Sequence, residues 1–189
     1  MFAKSVEDMS LNSLIKYITK TFHEPLRKDL KKIELLVPYI IENYSKKYPE
    51  ITHLSELFSQ FRKEILKHIT REDIVVFPTI LKFERLYTDK LINLSDNFEI
   101  INSLVNDIQM KNQHMEFNLY LDSIVQLLEG LSIIDDEKIK DFKEFQSIFV
   151  NIQKNNVIHA KIENENLYSK GIQLQNELKE KLAHISNDL

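Results

Sequence analysis

Four histidines and two glutamates of this 189-residue chain fall into one repeated frame. His68 is followed four residues on by Glu72, and His159 by Glu163. A lone histidine stands 45 residues before each pair: His23 before His68, and His114 before His159. A shift of 91 therefore carries His23 onto His114, His68 onto His159 and Glu72 onto Glu163. On a helix, residues i and i+4 share a face one turn apart. Phe61, Ile65, Leu66, Ile69, Val75 and Val76 surround the first pair, so that face is expected to be buried. A buried carboxylate is costly unless it is paired or bound to a metal. With an imidazole one turn away, it makes half of a metal site.

The same shift aligns apolar positions: Leu30 with Leu121, Ile33 with Ile124, Leu36 with Leu127, Val76 with Leu167 and Phe77 with Tyr168. Taken singly, a histidine on an apolar face is most often a satisfied core residue. A His/Glu pair at i,i+4 on a solvated face is worth little. The joint pattern of four histidines, two glutamates and an apolar frame points instead to two helical hairpins. Each gives one histidine from its first helix and a histidine plus a glutamate from its second. His53 and His184 lie outside the frame. Glu50-x-x-His53 has the spacing of ferritin-like di-iron motifs, but those sites need two copies. It reads as a surface pair at a helix start. Phe22, Phe61, Phe117 and Tyr120 read as core.

Four imidazoles are too nitrogen-rich a set for Mg or Ca, and six ligands are too many for one tetrahedral Zn. Divided over two metals, they give two imidazoles each and leave two carboxylates to bridge. A bridging oxo or hydroxo then leaves one open position per metal for a small molecule. Two irons suit this set; two Zn or two Mn ions are the alternatives. There is no conventional catalytic nucleophile.

The elements that must position these residues are helices. Gly is scarce at 2 residues and Pro at 4, while Leu, Ile, Lys, Glu and Asn dominate, a composition of an all-α chain with short turns. Leu11, Leu14, Ile15, Ile18 and Phe22 repeat at helical spacing. Pro25 predicts that this lead-in helix ends or kinks near His23. A first bundle helix is expected over 25–44 with a bend at Pro38, and a second over 50–87 with a kink at Pro78. The polar stretch 88–97 divides the hairpins. A third helix is expected over 98–129 with Gly130 as its C-cap. A fourth, capped by Asp135 and Asp136, is expected to run to about Lys170. Gly171 predicts a stop or kink before a polar tail helix that ends near Ala183. The expected fold is an up-down four-helix bundle with short lead-in and tail helices. It forms a single domain over 1–189 with its core at about 11–170.

Composition also excludes several classes. No cysteine is present, so there is no disulfide framework, thiolate nucleophile or Cys-ligated cluster. The net charge of −4 is mixed along the chain and leaves no nucleic-acid footprint. Met1 to Asp8 lacks the basic and apolar regions of a signal peptide. No apolar run approaches the ~18 residues of a membrane span. A soluble cytoplasmic protein is expected, with neither nucleic acid nor membrane as a partner.

The pattern His…His-x-x-x-Glu…His…His-x-x-x-Glu resembles the hemerythrin-like HHE domain. It is most similar to the di-iron repair-of-iron-centers proteins, also called iron–sulfur cluster repair proteins. Leu14-Ile15-x-Tyr17-Ile18-x-x-x-Phe22-His23-x-x-Leu26-Arg27-x-x-Leu30 resembles that family's entry segment. Glu64-Ile65-Leu66-x-His68-Ile69-x-x-Glu72-Asp73-x-x-Val76-Phe77-Pro78 resembles its first His/Glu helix, and His159-x-x-x-Glu163-Asn164-x-x-Leu167-Tyr168 its second. The resemblance covers about 11–170. Oxygen-carrying hemerythrins use five histidines and end with a His/Asp helix, so the repair branch fits the shorter set here. It implies a di-iron protein of nitrosative or oxidative stress that helps restore damaged iron–sulfur centres or binds NO. A hemerythrin-like O2 or NO sensor, or an iron store without repair activity, is the alternative. A metal-free helical interaction module is a third reading. The chain departs from the family at Tyr168-Ser169, where the first copy keeps Phe77-Pro78, and at Gln113, where an acidic residue is usual. Full-length members often carry a small N-terminal domain with a cysteine pair. With no cysteine here, any thiol that receives or passes iron is expected to be a partner's.

Overall fold

The buried positions of one helix explain how this chain folds. Ile51, Leu54, Phe58, Phe61, Ile65, His68, Glu72 and Val76 are all buried. They recur every three or four residues, the spacing of one helical stripe. His68 and Glu72 therefore occupy places where an amphipathic helix ordinarily sets apolar side chains. The computed structural model describes residues 6–89, 97, 99–101, 111–131 and 139–187. Among them are helices and no strand, so the chain is all-α.

Helix α1 spans Leu11–Ile18, α2 Glu24–Tyr44, α3 Ile51–Arg71 and α4 Phe77–Thr88. Helix α5 spans Lys111–Gly130, α6 Ile139–Ile162 and α7 Ser169–Asn187. Ser10 caps α1, its side chain accepting from the Ser13 amide at 3.3 Å. Three π-helical turns join helices directly: Thr19–His23 between α1 and α2, Glu72–Val76 between α3 and α4, and Glu163–Tyr168 between α6 and α7.

The chain divides into two compact units. One comprises Met1–Thr19, Thr70–Asn112 and Ala160–Leu189. Its core gathers Leu14, Ile18, Val76, Phe77, Ile80, Phe83, Leu167, Tyr168 and Leu178. Here α4 packs against both α1 and α7. Gly171 serves that packing, since a Cβ there would come within 3.1 Å of the Ile80 side chain. Lys170 donates to the carbonyls of Glu7 and Met9 at 2.9 and 3.2 Å.

The other unit comprises Lys20–Ile69 and Gln113–His159. Its core holds Leu30, Ile33, Ile40, Leu54, Phe61, Leu121, Ile124, Phe145 and Phe149, among others. Phe58 and Phe149 meet edge to face at 5.9 Å, and Phe61 and Phe117 at 6.5 Å. Two exposed ion pairs, Lys32 with Glu144 and Arg62 with Glu34, lie on its surface.

Helix boundaries differ from expectation at Gly130 and Gly171. Near His23 they agree: α1 ends at Ile18, a π turn over Thr19–His23 leads into α2, and Pro25 sits in the first turn of α2 where its missing N–H is harmless. Pro38 lies inside α2. Gly130 is the last residue of α5 and has no positive φ, so it is not a left-handed cap. Gly171 lies inside α7, and the irregularity expected there falls earlier, at Glu163–Tyr168. Phe98, Asp135 and Asp136 lie outside the described residues.

Candidate metal centre

All six residues of the repeated frame are buried: His23, His68, His114, His159, Glu72 and Glu163. The four histidines cluster within one unit. Nε2 of His23 faces Nε2 of His159 at 3.0 Å, and Nε2 of His68 faces Nε2 of His114 at 2.9 Å. The rings of His114 and His159 stand 5.4 Å apart, which links the two pairs. Each pair joins the upstream histidine of one repeat to the downstream histidine of the other. The residue before each upstream histidine supports the same partner. Phe22 stacks on His159, with ring centroids 5.3 Å apart, and Gln113 Oε1 accepts from Nδ1 of His68 at 2.8 Å.

Gln113 thereby decides a tautomer. An amide oxygen can only accept, so the proton of His68 sits on Nδ1 and the Nε2 lone pair faces His114. Two imidazole nitrogens turned on each other satisfy one another only if one keeps a proton there. A metal ion takes both as lone-pair donors. Nitrogens 3 Å apart fit within one ion's sphere, where metal–nitrogen bonds are about 2.0–2.1 Å.

Glu72 and Glu163 belong to the other unit, each one turn past its histidine along a continuous helical backbone and each the first residue of a π turn. Such turns widen a helix by one residue and are frequent at functional sites. The Tyr168 hydroxyl donates to Oε1 of Glu72. Burial, aided by the nearby charges of Glu163 and Glu72, pushes the Tyr168 phenol well above the usual tyrosine range, so it stays protonated and a donor. These buried His and Glu groups could hold a metal ion.

Two contributors escaped sequence reading. Gln113 appeared only as a departure and Tyr168 only as an apolar match of Phe77, yet each hydrogen-bonds a residue of the frame. The available signal was the hydroxyl that Tyr168 adds at a position where the other repeat has phenylalanine. The expectation for Glu50 and His53 holds, since both are exposed. Among the described residues, no helix is long and apolar enough to cross a membrane.

An all-α chain with buried His and Glu groups able to hold a metal is the class that this fold and site define. No family model matches the chain. It is similar to the iron-sulfur cluster repair protein ScdA of Staphylococcus haemolyticus (strain JCSC1435), at 26% identity over 166 residues, covering 88% of this chain and 69% of that one. It is likewise similar to ScdA of Staphylococcus epidermidis (strains RP62A and ATCC 12228), at 25% identity over 162 residues, covering 86% of this chain and 67% of those.

Proposed function

We propose that this chain is a hemerythrin-like di-iron protein, a single domain whose helices form an up-down four-helix bundle with lead-in and tail helices fused on through π turns. In this reading His23 and His159 serve one iron, and His68 and His114 the other. Glu72 and Glu163 bridge the two, with an oxo or hydroxo group between them. The carrying observation is the pairing of four buried imidazole nitrogens at 2.9–3.0 Å, with a buried glutamate one turn beyond each downstream histidine. An iron pair bound there supplies Lewis acidity and one-electron chemistry. Gln113 fixes the tautomer of His68, the glutamates provide balancing negative charge and apolar side chains surround the site.

In the cytoplasm the protein restores damaged iron–sulfur centres under nitrosative or oxidative stress, and it binds NO. The names of its relatives, iron-sulfur cluster repair proteins, support this reading. This sequence carries no cysteine, so a thiol that receives iron is a partner's. One observation favours the second reading, an O2- or NO-binding sensor or store. A small cleft of about 20 Å³, lined by Phe22, Leu26, Asp29, Phe61, Asn156 and His159 among others, reaches the imidazole cluster at His159.

Elemental analysis of anaerobically purified protein, with its visible spectrum, tests the proposal. About two irons per chain are expected, with near-UV absorption from an oxo-bridged ferric pair. One tightly bound Zn per chain, or no metal, overturns it. On air exposure, simple oxidation with iron release supports repair, and a reversible oxy adduct supports the sensor reading.

A further inference from the structure

The two repeats differ at a buried oxygen atom that touches Glu72. Phe77 and Tyr168 are matched by the shift of 91, and both are buried in the same core. Only Tyr168 carries a hydroxyl, and that hydroxyl donates to Oε1 of Glu72. Both partners stand on defined backbone, since Tyr168 ends one π turn and Glu72 begins another. The terminal torsion of a glutamate is broad and two-fold, so its oxygens are interchangeable until something distinguishes them. A buried phenol does so, because it must place its proton on an acceptor and takes up one oxygen lone pair. Phe77 has no hydroxyl with which to treat Glu163 in the same way.

We propose that Tyr168 is a positioning residue for Glu72, fixing the carboxylate's rotation toward a bound metal. The proposal rests on the di-iron reading. Hydrogen bonds from outside a metal site orient the ligand, and their loss typically costs 10- to 100-fold in metal affinity.

Anaerobic ferrous titration of the wild-type chain, Tyr168→Phe, Glu72→Gln and the double variant tests this. Tyr168→Phe should weaken ferrous binding about 10- to 100-fold and change nothing further in the Glu72→Gln background. Far-UV circular dichroism and thermal unfolding of the metal-free variants establish that each is folded. No loss in Tyr168→Phe, or an equal loss in both backgrounds, overturns the proposal. So does a visible charge-transfer band of the ferric protein that disappears in Tyr168→Phe, because the phenolate is then itself a ligand. A second measurement does not need Tyr168→Phe to fold. Glu72→Gln should shift the near-UV absorption of Tyr168, and an unchanged spectrum overturns the hydrogen bond. If the wild-type chain binds no ferrous pair, the di-iron reading falls, while the near-UV comparison still reports on Tyr168 and Glu72.

Discussion

A glutamate with no exposed surface interrupts an otherwise apolar helical stripe at Glu72, and another is equally buried at Glu163. Side chains of this kind are legible in a sequence because they break the pattern that surrounds them, and because four histidines break it at matching places. As bridges, the two carboxylates have a consequence that single-metal ligands do not. In the proposed centre Glu72→Ala or Glu163→Ala would remove one ligand from each iron, whereas His23→Ala or His114→Ala would remove one from a single iron. The glutamate variants should therefore lose more iron than the histidine variants, although each lacks one side chain. Metal content of the four purified proteins measures this, and equal loss of one iron from every variant would show that the carboxylates do not bridge. What supports the ligands was harder to read. Gln113 reaches His68 across 45 residues and Tyr168 reaches Glu72 across 96, and neither contact leaves a local periodicity.

At the scale of elements, two prolines that predict an irregularity, Pro25 and Pro78, each follow a π turn, while Pro38 lies inside α2. Pro25 follows the turn Thr19–His23, and Pro78 follows Glu72–Val76. A proline lacks the N–H of an i→i−4 bond, and its ring clashes with the carbonyl four residues back. A wider turn just upstream relieves that conflict. The Phe77 amide illustrates the wider register by donating to Glu72 O, five residues back. In the second repeat, Ser169 stands where Pro78 stands in the first; its backbone N–H donates to Asn166 O and its hydroxyl to Asn164 O at 2.8 Å. The π turn at Glu163 thus persists without proline. An ordinary mid-helix proline costs about 3 kcal/mol. Ser169→Pro should cost less than that, because a proline follows the π turn of the first repeat at the matching position, although the Ser169 bonds to Asn166 O and Asn164 O are lost. Gln126→Pro, at an exposed position inside α5, is the control. Urea unfolding of both variants decides, and equal destabilisation would remove this account of the π turns.

Across the whole molecule, the repeat predicted burial as well as ligands: Leu30 and Leu121, Ile33 and Ile124, and Val76 and Leu167 are buried alike. The all-α class followed from composition, whereas the joining of lead-in and tail helices to their neighbours depends on backbone hydrogen bonds that no side-chain pattern encodes. Burying two carboxylates without a metal costs roughly several kcal/mol unless they protonate. Iron binding should therefore stabilise the folded chain, and its removal should lower the melting temperature. The pH dependence has a definite sign. A ligating imidazole holds no proton on the ligating nitrogen, whereas an unfolded histidine takes one up below about pH 6.5. The unfolded state then binds more protons than the loaded folded state, so metal-linked stability is complete above that range and is lost as pH falls. Melting temperatures measured from pH 8 to pH 5, with and without a chelator, should differ widely at the alkaline end and converge below about pH 6. If chelation at pH 7.5 leaves the melting temperature unchanged, the metal is not bound among these buried residues, and the His and Glu frame has a purely structural origin.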